Sequence, residues 1–156
     1  MILLRNAIVL AAVLVCTCAH AAREPAPQPA QAQQSSEEDK LTRLLARKDL
    51  IGAIVSHCAQ AFPASQKKMQ DAFAAWQQPR QSALDQAAMV MLTRSSREDA
   101  DAAGALVRDE QQKLQTWVAR DLGIPQERKP TLEDCNRIAQ GLASLPDAAG
   151  PAGARP

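Results

Sequence analysis

The sequence predicts an all-α fold: a single four-helix antiparallel bundle stapled by one disulfide, with disordered N- and C-terminal tails. Three observations point there. Apolar residues recur at spacings of three and four through residues 37–145, with no strand-like alternation and almost no aromatic or β-branched clustering. Hydroxyl caps and Pro or Gly stops divide that span into four stretches of helical length. Two cysteines, Cys58 and Cys135, remain once an N-terminal leader is set aside, near the end of the first stretch and the start of the last.

The leader is residues 1–21, which read as a signal peptide. Arg5 precedes an apolar run from Ala7 to Ala19, roughly 13 residues long and short of the roughly 20 that cross a bilayer as a permanent helix. No membrane span is therefore expected. Ala19-His20-Ala21 places small residues at the two positions a signal peptidase reads, so cleavage is expected after Ala21. The competing reading is a lipid anchor at Cys16 or Cys18, which would tether the protein to the outer membrane. Val15 and Thr17 precede those cysteines, where lipid-attachment sites favour Gly, Ala or Ser. The expected location is the periplasm, with a tethered lipoprotein as the alternative.

Cleavage removes Arg5, so the 18 Lys and Arg fall by one and match the 17 Asp and Glu. A chain of zero formal charge with interspersed signs offers no basic face for nucleic acid. Cleavage also removes Cys16 and Cys18. That leaves one possible intramolecular pair in an oxidising compartment, Cys58 with Cys135. Closing a loop of about 78 residues is worth roughly 4 to 5 kcal/mol by chain entropy.

Residues 22–36 form an Ala/Pro/Gln-rich linker with almost nothing to bury, and residues 146–156 are similarly rich in Pro, Gly and Ala. Both are expected to be disordered. The bundle domain is then residues 37–145. Its first helix starts at Ser35 or Ser36, with the acids Glu37, Glu38 and Asp39 in the first turn. Leu41, Leu44, Leu45, Ile51, Ile54, Val55, Cys58 and Phe62 form its stripe, Gly52 leaves room for a neighbour, and Pro63 ends it. The second runs from about Ala64 to Thr93 on a stripe that includes Met69, Phe73, Trp76, Leu84, Ala87 and Met91. Pro79 interrupts it as a kink or a short break; the stripe keeps its phase across Pro79, which favours a kink.

The third helix opens on a Ser96–Asp99 capping box and carries Ala103, Leu106, Val107, Leu114, Trp117, Val118 and Leu122. Gly123-Ile124-Pro125 is its stop, with Gly123 expected in the left-handed conformation. The fourth opens on Thr131 with Asp134 three residues on, presents Leu132, Cys135, Ile138, Leu142 and Leu145, and ends at Pro146. First and last helices running antiparallel would bring Cys58 to Cys135 with both sulfurs facing the core.

Chemistry-bearing residues are sparse. His57 stands alone beside Cys58, whereas a zinc site needs three or four converging ligands, so no metal is expected. Ser65-Gln66-Lys67-Lys68 matches a Ser-x-x-Lys pattern without its partner motifs, a chance match. The acidic clusters Glu37–Asp39 and Glu98–Asp101 fit first-turn dipole complementation; calcium would need a ligand-rich loop with a glycine turn. With no phosphate loop or nucleophile elbow in the chain, the protein is read as a non-enzyme without a cofactor.

One stretch resists absorption into a core. Met89-Val90-Met91-Leu92 spans about 300° of a helix, more than one packed face can cover. Met is also over-used at adaptable binding surfaces. Trp76, on the same apolar stripe, is either core or part of this surface, and is counted here with Met89, Val90, Met91 and Leu92 as a candidate protein-binding surface. The functional expectation is an exported, non-enzymatic protein-binding module of the bacterial envelope, of inhibitor, immunity or accessory-factor type, whose partner is another envelope protein. The alternative is a structural or chaperone-like periplasmic helical homodimer.

Overall fold

The computed structural model describes residues 29–94 and 96–146, with side chains from Gln33 onward. The expected signal peptide, Cys16, Cys18 and most of the two expected tails lie outside these residues. All regular structure among the described residues is helical: α1 (Pro29–Ala61), α2 (Gln66–Gln77), α3 (Gln81–Thr93), α4 (Arg97–Thr116) and α5 (Leu132–Gly141). Short 3-10 turns, Pro63–Ser65 and Gln78–Arg80, join α1 to α2 and α2 to α3. A π-helical turn, Trp117–Asp121, extends α4, and a 3-10 turn, Leu142–Ser144, extends α5.

The first helix starts earlier than the sequence suggests. Pro29 suits a first helical position because no N–H is needed there, and the Ala/Gln run after it has good helix propensity. Residues 29–36, expected in the linker, are thus part of α1. Ser35 and Ser36 are interior rather than caps, and Glu37, Glu38 and Asp39 no longer lie in a first turn. Those acids pair instead: Glu37 with Lys40 at 2.6 Å, and Glu38 and Asp39 with Arg94 at 3.5 and 3.4 Å.

Three contacts fix the direction of the second column. Ser65 bonds the Cys58 carbonyl, the Phe73 ring lies against Gly52, and Arg94 reaches Thr42. Chain position rises along α2 and α3 while it falls along α1, so the two columns are antiparallel. Pro79 resolves as a single 3-10 turn, with Gln77 and Gln81 at helical angles on either side. The stripe survives the turn: Met69 and Trp76 before it and Leu84 and Ala87 after it are all buried.

Both expected capping boxes form. The Ser96 and Thr131 hydroxyls accept from the Asp99 and Asp134 backbone N–H groups, while each carboxylate accepts from its cap residue's N–H. Gly123 sits at φ +62°, a conformation that costs side-chain-bearing residues, and the buried Ile124 folds back so that its N–H reaches the Val118 carbonyl at 3.1 Å. The π turn was not anticipated. Its Leu122 N–H bonds the Trp117 carbonyl at 3.2 Å, and the Gln126 side-chain amide donates to the Gln115 carbonyl at 2.8 Å.

Cys58 and Cys135 form a disulfide with both residues buried, Cα atoms 5.8 Å apart and 77 positions apart in sequence. From there α5 runs back along the molecule until the Pro146 carbonyl meets Arg47, so it is antiparallel to α1. Its packing is mainly on α2. The contiguous core gathers around the bridge: Ile51 and Val55 of α1, Met69 and Trp76 of α2, Leu114 and Trp117, and Ile138 and Leu142.

Next to that core lies an ion cluster. Glu110 has 0% exposure, and Arg47 is buried beside it, with Nε at 2.9 Å and Nη2 at 2.5 Å from Glu110 Oε2. Arg43 Nη1 and Lys113 Nζ lie 3.4 and 3.2 Å from Oε1, and both cations also pair with Asp109. A buried charge is tolerable only when its oxygens are engaged, as these are.

Two outcomes follow from this packing. Glu110→Ala strands the buried Arg47 and should cost about 3–5 kcal/mol in urea unfolding, whereas replacing Arg47 and Glu110 together by Met and Leu should cost far less. A Cβ on Gly141 would meet Leu122 Cδ2 at 2.6 Å and Trp117 Cζ2 at 2.9 Å, while one on Gly52 would meet the Phe73 ring at 3.6 Å. Gly141→Ala should therefore destabilise by about 1–3 kcal/mol, and Gly52→Ala should stabilise by up to ~1 kcal/mol through helix propensity.

Candidate functional site

The sequence places five residues in a candidate surface, and the structure separates them. Met89 is 63% exposed and Leu92 78% exposed; Met91 is 37% exposed and Val90 half-buried. Val90 turns toward the rest of the fold because Leu84 and Ala87 set the inward stripe of α3. Met89 and Leu92, three residues apart, share the outward face.

Trp76 does not belong to this surface. It is 3% exposed, with Phe73 stacked on it at 6.1 Å between centroids and the Arg80 guanidinium 4.9 Å above its ring. Arg80 also donates to the Trp76 carbonyl at 2.8 Å, which fixes the cation there. The reason is positional: Trp76 lies on the inward stripe of α2 with Met69 and belongs to the contiguous core. Trp117 is buried in the same core.

α3 presents its outward residues with little charge. Its sequence QSALDQAAMVMLT has Asp85 as its one ionisable side chain, held by Gln81 at 2.8 Å. Asp85, Ala88, Met89 and Leu92 are all exposed. On α4, Val107 is exposed as well, one turn from the buried Ala103 on the same stripe. Chemically, such a surface can exclude water against another apolar face.

The remaining polar candidates take structural roles. Ser65 is buried and donates to the Cys58 and Phe62 carbonyls at 3.3 and 2.8 Å, and Lys67 is exposed and bound to Asp71. His57 is exposed. Among the described residues, no three His, Cys, Asp or Glu side chains converge as a metal centre requires. An open groove of about 450 Å³ runs between Gln112, Gln115, Arg120 and Gln126, where the π turn re-routes the end of α4. A second, of about 400 Å³, lies between Gly52, Ser56, Gln60 and Gln66. Thr116, whose hydroxyl donates to the Gln112 carbonyl at 2.9 Å, and Glu127 also line the first groove, and the Ser56 hydroxyl in the second accepts from the Gln60 amide at 3.1 Å.

Sequence reasoning missed the Arg47–Glu110 cluster. A signal was there: the stripe Ala103, Val107, Leu114, Trp117 has Glu110 at the position between Val107 and Leu114 where an apolar residue belongs. Arg47 likewise fills the gap between Leu44 and Ile51 on α1. Comparison with family models, with curated proteins and with solved structures gave no match to this chain.

Two carboxylates titrate below their ordinary value. Arg128, bonded to Asp134 through 2.6 and 2.9 Å contacts, holds that carboxyl well below its ordinary 3.8, helped by the Thr131 N–H and hydroxyl. Lys113, then Arg43, lowers Asp109 in the same sense. With folded values depressed, this stabilisation is present above about 3.8 and lost as pH falls through the folded values. Urea titrations at about pH 7 and about pH 3 should show a loss of stability that shrinks in Asp134→Asn, because Asn has no proton to take up.

Proposed function

We propose that the chain is an exported, non-enzymatic protein-binding module of the bacterial envelope, of inhibitor, immunity or accessory-factor type, and that its partner seats on the outward face of α3. The observation that carries this reading is the exposure of Met89 and Leu92 together on a helix with a single charged side chain. Large apolar side chains side by side in water are a cost that a partner's surface removes. Tying Cys58 to Cys135 leaves the described chain without a free thiol and suits an oxidising compartment.

Because Met89 and Leu92 project outward, changing them to Asp should leave the fold intact. Affinity capture from envelope extracts with wild type and with Met89→Asp and Leu92→Asp tests the face directly. A partner held by wild type should fall by about tenfold or more in the variants, the scale expected of a central apolar anchor. Equal recovery of every captured protein removes this surface. Sedimentation of the purified protein separates the alternative: a monomer fits the module, whereas a dimer split by Leu92→Asp assigns the face to a structural or chaperone-like homodimer.

A further inference from the structure

Buried apolar side chains are distributed unevenly along the molecule. The contiguous core holds residues of α1, α2, the C-terminal end of α4 and α5; it includes no residue of α3 and none of α4 before Leu114. Across residues 81–106 the buried apolar side chains are Leu84, Ala87 and Ala103. Both boundaries of this stretch are marked in the chain. On one side, Pro79 has no N–H to offer the preceding turn, so the helical ladder is interrupted between α2 and α3. On the other, Glu110 is clasped by Arg47 and Arg43. Between them, charged contact with α1 runs through Arg94, whose partners Glu38 and Asp39 are partly exposed and worth little individually.

We propose that α3 and the first turns of α4, residues 81–106, are a helical hairpin that opens as one cooperative unit while the disulfide-bonded half stays folded. Opening pivots on the Gln78–Arg80 turn and stops at Glu110. The two helices move together because the link between Thr93 and Arg97 is too short for either to leave alone. Opening exposes Leu84, Ala87 and Ala103, the half-buried Val90 and Leu106, and α1 side chains such as Thr42 that the hairpin covers. Global unfolding exposes the whole core around Cys58 and Cys135 as well, so the smaller event lies lower in free energy. It also adds Leu84 to the apolar surface that Met89 and Leu92 already present.

Native-state hydrogen exchange of the oxidised full chain, read by peptide mass at rising sub-denaturing guanidinium, tests this. Peptides from residues 81–106 should exchange at least about tenfold faster than those covering 51–58 and 135–142, with a weaker denaturant dependence. Leu84→Ala should speed exchange within 81–106 by a further ~tenfold or more and leave 135–142 unchanged. One shared denaturant dependence for all peptides in wild type overturns the proposal. So does a Leu84→Ala variant that accelerates both halves equally.

Discussion

The Cys58–Cys135 bridge is the constraint on which the rest of the arrangement depends. It fixes the start of α5 at the end of α1, and α5 then has one apolar face to bury and α2 beside it to bury it on. The close approach of Gly141 to Trp117 and Leu122 follows, because α5 can settle against the π turn only where a side chain is missing. The core forms where these elements converge. Crosslinking residues so distant in sequence chiefly restricts the unfolded chain, which matters in a small domain whose net stability is the difference of large terms.

Away from the bridge, a different chemistry takes over. Apolar contact thins to Ala46, Leu84, Ala87 and Ala103, and α4 is held to α1 by Arg43, Arg47, Asp109, Glu110 and Lys113. Alanines allow helices to approach but bury little area each, so this half gains less from water exclusion. The charged cluster compensates with direction: it fixes which turn of α4 faces which turn of α1. The exposed side chains of α3 belong to this lightly packed half.

What could be read from the sequence was mostly local chemistry. Ser96 with Asp99, Thr131 with Asp134, and Gly123 before Ile124-Pro125 each act within a few residues, and all three formed as expected. The all-helical class and the disulfide were legible for related reasons, one from periodicity and the other from counting thiols. The start of α1 was not, because a Pro followed by an Ala/Gln run starts a helix by propensity alone, without the side-chain cap that marks a boundary. Trp76 and Leu92 lie on the same helical column but on different faces: Trp76 belongs to the inward stripe that Leu84 and Ala87 continue, and Leu92 stands off it. The pairing of Arg47 with Glu110 required knowing which helices adjoin; each residue alone was only an oddly placed charge.

The contact between Arg47 and the Pro146 carbonyl has an evolutionary side. Its acceptor belongs to the main chain, so no side-chain replacement at position 146 can delete it; only a change in the path of the backbone can. Position 146 is therefore free to drift in identity so long as the chain leaves α5 in the same direction, while the requirement for a guanidinium falls wholly on position 47. A lysine there would keep the charge but could not span Glu110 and the carbonyl with one planar group.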